Sequence, residues 1–218
     1  MNREHFKQNP AILQIMTTEH YNLQSGRSNS IADTSSRANL FLSTVSMTLI
    51  ALSFIGQISQ LGTPFFIFSF ILFPSLLFLG FVTFDRVLQS AIEDIIYARG
   101  INRIRHFYGE LAPEIKEYFV LSTHDDETSA YNNMGTKATW WQVFLTTPGT
   151  IAVINGILAG VFVGLLVYQL FQLTLVGCII TAIVVCSTVI VILHRYQWVT
   201  WGNAQRNLKS LFPRNSTI

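Results

Sequence analysis

Two blocks of this chain carry no charge. Ala38 to Phe84 and Ala138 to Leu193 contain no Asp, Glu, Lys, Arg or His, over 47 and 56 of the 218 residues. A buried soluble core does not need charge-free blocks of that length. A bilayer does, because a spanning helix takes about 20 apolar residues to cross about 30 Å of hydrocarbon. Each block is long enough for two crossings and too long for one. Two long buried helical hairpins in a soluble protein are the alternative.

The break points lie within the blocks. In "GQISQLGTPFF", Gln57, Gln60, Gly62 and Pro64 separate two apolar runs, and Pro64 suits the first turn of a new helix, where a missing N–H costs nothing. In "VYQLFQLT", Gln169 and Gln172 flank a tight turn. The spacing predicts spans at 39–59, 64–84, 149–169 and 173–193. The expected class is all-α: a four-helix transmembrane bundle of two hairpins with a small cytoplasmic helical layer. Residues 1–38 form an N-terminal helical arm and 39–84 the first hairpin. Residues 85–140 carry an amphipathic helix and an acidic loop, 141–194 the second hairpin, and 195–218 a basic tail.

Only 12% of the residues are charged, and they are distributed unevenly. Lys and Arg number four in 1–37, six in 85–137 and four in 194–218, with none in the hairpin turns. Because basic residues accumulate on the cytoplasmic side, both termini and the middle segment are expected in the cytoplasm, in the cell membrane. Trp140, Trp141, Trp198 and Trp201 flank the third and fourth spans, where amphipathic rings favour the interface. Residues 1–37 are polar and do not read as a signal peptide. The tail, with four basic residues and no acid, is expected to act as an anchor near anionic lipid. An interfacial helix with Trp198, Trp201, Leu208 and Leu211 toward the membrane is the alternative.

Proton relays and voltage sensors place ionisable residues inside the membrane, and these spans have none. Two other patterns remain. Ala152, Gly156, Gly160 and Gly164 recur every four residues in the third span, a ladder of small residues that lets another helix approach closely. The partner is in the same chain or in another. Asn39, Ser43, Ser46, Ser53 and Gln57 share one face of the first span and form a polar stripe that either packs on a neighbouring helix or lines a water path. Cys178 and Cys186 lie about 12 Å apart along one helix, too far to pair.

Past Phe84 the pattern becomes amphipathic. Leu88, Ile92, Ile95, Ala98, Ile101, Ile104, Tyr108 and Leu111 form one buried stripe, ended by Pro113, with a shorter helix over "PEIKEYFV". In the arm, Ile12, Ile15, Leu23 and Ile31 are candidate contacts. Arg99, Arg103 and His106 share a second face of the amphipathic helix. At 1.5 Å per residue, Arg99 lies about 22 Å beyond the span, out of reach of headgroups across a screening length of about 8 Å. The three residues therefore meet solvent, acids of the same chain such as Glu19 or Glu110, or an anionic small-molecule ligand held by arginine forks. "STHDDETS" holds His124, Asp125, Asp126 and Glu127 side by side, which on a helix would fan out and not converge on a metal, and it reads as a solvated acidic loop. Phosphate loops, Ser-His-Asp constellations and dinucleotide fingerprints are absent. No metal, cofactor, catalytic residue or nucleic-acid partner is expected.

"EHYNLQSGRSNSIADTSSRANLFLS", "FDRVLQSAIEDIIYARGINRIRHFY" and "EYFVLSTHDDE" resemble an uncharacterised group of bacterial four-span membrane proteins. A looser resemblance is to the membrane effectors of nucleotide-signalled antiphage defence, of the Pycsar and SLATT kind, which also join a polar N-terminal helix to a membrane hairpin and an amphipathic helix. The second resemblance implies a membrane-disrupting effector. It transfers no functional residue, and the two hairpins here depart from the single one common in those proteins. The leading expectation is a non-enzymatic membrane protein, a sensor or effector acting by assembly as a homo-oligomer. An oligomeric pore or small-solute channel comes second, and a membrane enzyme using the acidic loop third.

Overall fold

The computed structural model describes residues 9–135, 139 and 141–214. Among these it is all-α, without strands. Helix α1 runs Pro10–Ile58, α2 Thr63–Leu111, α3 Glu127–Asn133, α4 Gln142–Leu145, α5 Thr147–Phe171 and α6 Leu175–Asn207; a 3-10 helix spans Pro113–Tyr118. Four of these, α1, α2, α5 and α6, are long and apolar enough to cross a membrane, as the helices of a multi-pass membrane protein are. Trp140 and the last four residues of the tail lie outside the described residues, whereas Trp141 and Trp198 are exposed.

The turns are short. Between α1 and α2, Gln60 and Leu61 adopt left-handed conformations, and the Leu61 N–H donates back to the Gly56 carbonyl. Between α5 and α6, Gln172 is left-handed and caps the Tyr168 carbonyl, while the Thr174 hydroxyl accepts from the Gly177 N–H. Left-handed residues just past a helix end satisfy its orphan carbonyls. Helix α2 continues through Pro74.

The chain divides into two compact units, an apolar one (34–89 and 140–200) and a polar one (1–33, 90–139 and 201–218). The apolar unit holds the hairpin of α5 and α6. A Cβ added at Gly160 would stand 2.5 Å from the Ala182 carbonyl oxygen and 2.9 Å from Cys186 Cβ, and one at Gly156 2.9 Å from the Cys186 carbonyl. One at Gly164 would meet Ala182 Cβ at 3.2 Å. The ladder is therefore spent within the chain, against a face of α6 that includes both cysteines. Ala152 is fully buried. Phe162 packs on Phe70 and Phe73, and Tyr168 stacks on Phe66.

The polar unit is organised on the second half of α2. Leu88 of the predicted stripe falls in the apolar unit, where it is buried; Ile95, Ala98, Ile101 and Ile104 are buried in the polar unit. The arm meets this segment through Leu23, Gly26, Arg27 and Ser30. Tyr97 sits where a Gly26 side chain would be, Arg27 pairs with Asp94 at 2.7 Å, and Ser30 donates to the Ser90 carbonyl. Ile15 and Ile31, expected as contacts, are exposed, because the contact face of α1 lies on the Leu23–Ser30 side of the helix.

Candidate functional site

The polar unit is built around one carboxylate. Asp125 lies in the loop between the 3-10 helix and α3 and is fully buried. Its Oδ1 accepts from the Ser210 hydroxyl at 2.6 Å and the Phe212 N–H at 2.7 Å. Its Oδ2 accepts from Arg103 Nε at 2.6 Å and the Leu211 N–H at 2.9 Å. An ionised carboxylate has about four lone-pair sites, and all four are used. Two successive backbone N–H groups beside a hydroxyl form a nest, an arrangement suited to an anion. Burial alone would raise the Asp125 pKa. Hydrogen bonds from Leu211, Ser210, Arg103 and Phe212 outweigh it and hold the group at about 2.

The main chain of Asp125 is tied as well. Its N–H donates to the Phe212 carbonyl, and its carbonyl accepts from Arg99 Nε at 2.7 Å. Arg99, only 4% exposed, also donates to Gln205 Oε1 and the Leu208 carbonyl, and Arg103 donates to the Lys209 carbonyl. The guanidinium fork presents several donors in a fixed plane, and here it spans two chain segments. Asn102, buried between the arginines, donates to the His124 carbonyl and accepts from Asn133 Nδ2. Asn133 in turn accepts from the Ser122 N–H. Asp126 caps α3 through the Ser129 N–H and accepts from the Arg214 N–H. These bonds lower its pKa against the opposing effect of burial. Tyr131, beside Trp201, is pushed up to about 12 by burial and by Glu127.

Three sequence expectations change here. "STHDDETS" is not a solvated acidic loop, since Asp125 is the most enclosed polar residue of the unit. The tail is not a free anchor, nor does a helix carry Leu208 and Leu211 to a membrane. Helix α6 ends at Asn207, and 208–214 wrap around Asp125. The acid opposite the arginines is Asp125, not Glu19 or Glu110. The tail contacts span 85 or more positions and the arginine contacts 22 and 26, none of which local spacing can show. Of the three predicted ligand residues, Arg99 and Arg103 are committed to this clamp. His106 makes no hydrogen bond to Asp125 but borders the clamp, stacked on Phe212 with ring centroids 4.0 Å apart and 3.5 Å from Glu110.

The predicted polar stripe lies on an exposed face of α1. Asn39, Ser43, Ser46, Ser53 and Gln57 are all exposed, so the stripe does not pack within the chain. At its far end, Ser53, Gln57 and Gln60 border a cleft of about 760 Å³ together with Phe65, Phe73 and Val161. Buried polar groups lie elsewhere in the apolar unit. Asn155 beside Gly80, Ser69, and His194 stacked on Phe144 each keep a buried polar atom without a hydrogen-bond partner. None of them was singled out from the sequence.

Comparison of the chain with protein-family models, curated proteins and solved structures finds no significant match.

Proposed function

We propose that the protein is a non-enzymatic integral membrane protein of the cell membrane, with both termini cytoplasmic, that acts as a sensor or effector by assembling in the bilayer. The exposed stripe of Asn39, Ser43, Ser46, Ser53 and Gln57 carries this reading. Lipid tails offer polar side chains no partner, and in a membrane such groups act as glue between helices. Asn, Gln and Ser each donate and accept, so a second copy of the same helix supplies complementary groups. The glycine ladder does not compete for this role, because α6 already fills it. Asp125, with every lone pair engaged, is a poor general acid or base, which weighs against an enzyme using the acidic loop. The looser resemblance to Pycsar- and SLATT-type effectors implies a membrane-disrupting effector, which agrees with the effector half of this reading.

The size of the full-length protein in mild detergent tests the reading. We expect an oligomer that Ser46→Leu with Ser53→Leu shifts toward monomer while far-ultraviolet circular dichroism stays unchanged. A wild-type monomer in both detergent and nanodiscs overturns it. The cleft beside Ser53 and Gln57 favours a second reading, an oligomeric pore for small solutes. Single-channel conductance in planar bilayers separates the two.

A further inference from the structure

The fold brings together two histidines that stand 18 positions apart in sequence. His106 on α2 and His124 on the loop have ring centroids 6.2 Å apart, inclined at 51°. Each keeps its Nδ1 buried and without a hydrogen-bond partner. A buried polar atom left unpaired costs about 1–3 kcal/mol, so two such atoms on neighbouring rings need an explanation. Both residues line one open cleft of about 480 Å³, together with Leu211, Phe212, Pro213 and Arg214.

We propose that His106 and His124 hold one divalent transition-metal ion, of the Zn2+ class, through their Nδ1 atoms. Neutral imidazole suits Zn, Cu and Ni. With metal–nitrogen bonds of about 2.1 Å and each nitrogen roughly 1 Å from its ring centre, one ion holds two ring centres at most about 6.4 Å apart. At the tetrahedral angle the separation is about 5.2 Å. The observed 6.2 Å exceeds the tetrahedral value by about 1 Å, so binding has to draw the two rings together.

The surroundings favour this use of the rings. Metal-ligating histidines usually turn their other nitrogen to a carboxylate or carbonyl, which fixes the tautomer. His106 Nε2 lies 3.5 Å from Glu110 Oε1, leaving Nδ1 as the free lone pair. The Phe212 ring stacked on His106 holds the imidazole plane. Asp125, Asp126 and Glu110 supply negative charge near the ion, against the positive charges of Arg103 and Arg214. The described residues contain no cluster of three or more metal-ligating side chains, so the two rings must open toward the cleft for waters to complete the coordination. The proposal is independent of assembly in the membrane. Its consequence lies in the polar unit: an ion bridging α2 and the loop would pin the 208–214 segment through Phe212.

The test uses tag-free, full-length protein in detergent, with Cu2+ as the spectroscopic probe and Zn2+ as the competitor. We expect one tightly held Cu2+ per chain with nitrogen hyperfine coupling from two imidazoles, displaced by Zn2+. His106→Gln and His124→Gln should each leave one imidazole nitrogen, and each should weaken binding at least tenfold. Glu110→Gln should weaken it by about tenfold. Zn2+ should slow amide hydrogen exchange at Leu211 and Phe212 in the wild type and not in the double histidine variant. The wild-type nitrogen count does not depend on any variant folding. Absence of a stoichiometric ion, a wild-type signal without two imidazole nitrogens, or unchanged binding in a folded double histidine variant would overturn the proposal.

Discussion

The two units of this protein are held by opposite means. In the apolar unit, residues without side chains matter most: Gly156 and Gly160 bring two helices so close that a Cβ at either would press on a backbone carbonyl of α6. In the polar unit one side chain matters most, since Asp125 receives four donors and fixes three chain segments. Dispersion between close backbones is spread over many weak contacts. A buried carboxylate is concentrated, and removing it exposes every partner at once. The apolar unit should therefore lose stability by degrees, and the polar unit should come apart at a single site.

The largest effect expected is that of Asp125→Ala. It removes the acceptor of Arg103 Nε, of two N–H groups and of the Ser210 hydroxyl. Arg103 is partly exposed, so the cost lies at or below the lower end of the range of about 3–5 kcal/mol for a fully buried pair. Amide exchange at 208–214 should rise to near the unprotected rate, while exchange in α5 and α6 stays as in the wild type. Equal loosening of both units would remove the contrast between them.

Acid should produce the next largest effect, by the same route. The Asp125 pKa is depressed to about 2, against about 3.9 for an unperturbed Asp. A depressed carboxylate contributes stability that is full above its unfolded pKa and is lost as pH falls through the folded one. The window is therefore between about pH 4 and pH 2, and a shift of this size is linked to about 2–3 kcal/mol. Protection of 208–214 in the folded protein should fall across that window, and Asp125→Asn should remove most of the pH dependence, leaving the part that Asp126 contributes at Arg214. A flat profile in the wild type would mean that the carboxylate is not what holds the tail.

The same contrast explains what could be read from sequence. Spans and turns follow from composition and from local punctuation such as "QLGTPFF", and the ladder follows from a spacing of four. These signals lie within about 20 residues of each other. The clamp does not. Asp125 and Phe212 are 87 positions apart, and Arg99 and Leu208 109 apart. A stretch such as "THDDE" looks solvated until its partners are known. Arg99 and Arg103 were recognisable as an unusual basic face, but Asn102 between them, Gln205 and Asn133 carry no local signal. The pairing of His106 with His124 is likewise a product of the fold alone. The stripe was legible as a face of α1, but whether that face turned inward or outward was not, because a 3.6-residue period marks a side of a helix without saying what covers it.

Gly160→Leu gives the smallest of these effects and tests the other side of the contrast. An added Cβ already stands 2.5 Å from the Ala182 carbonyl oxygen and 2.9 Å from Cys186 Cβ. The first is backbone of a continuous helix and cannot turn away, so α5 and α6 must separate slightly. Overpacking of this kind costs about 1–3 kcal/mol, and Gly160→Ala should reproduce part of it with a single methyl group. The melting temperature in detergent should fall in the order wild type, Gly160→Ala, Gly160→Leu. Two further readouts make the prediction specific. Exchange at 208–214 should not change, because no residue of the clamp belongs to this contact. Oligomer size should not change either, because the ladder is filled by α6 and the stripe on α1 is untouched. If the oligomer dissociates while the melting temperature holds, the ladder faces a second copy instead, and the contrast between the units loses its apolar half.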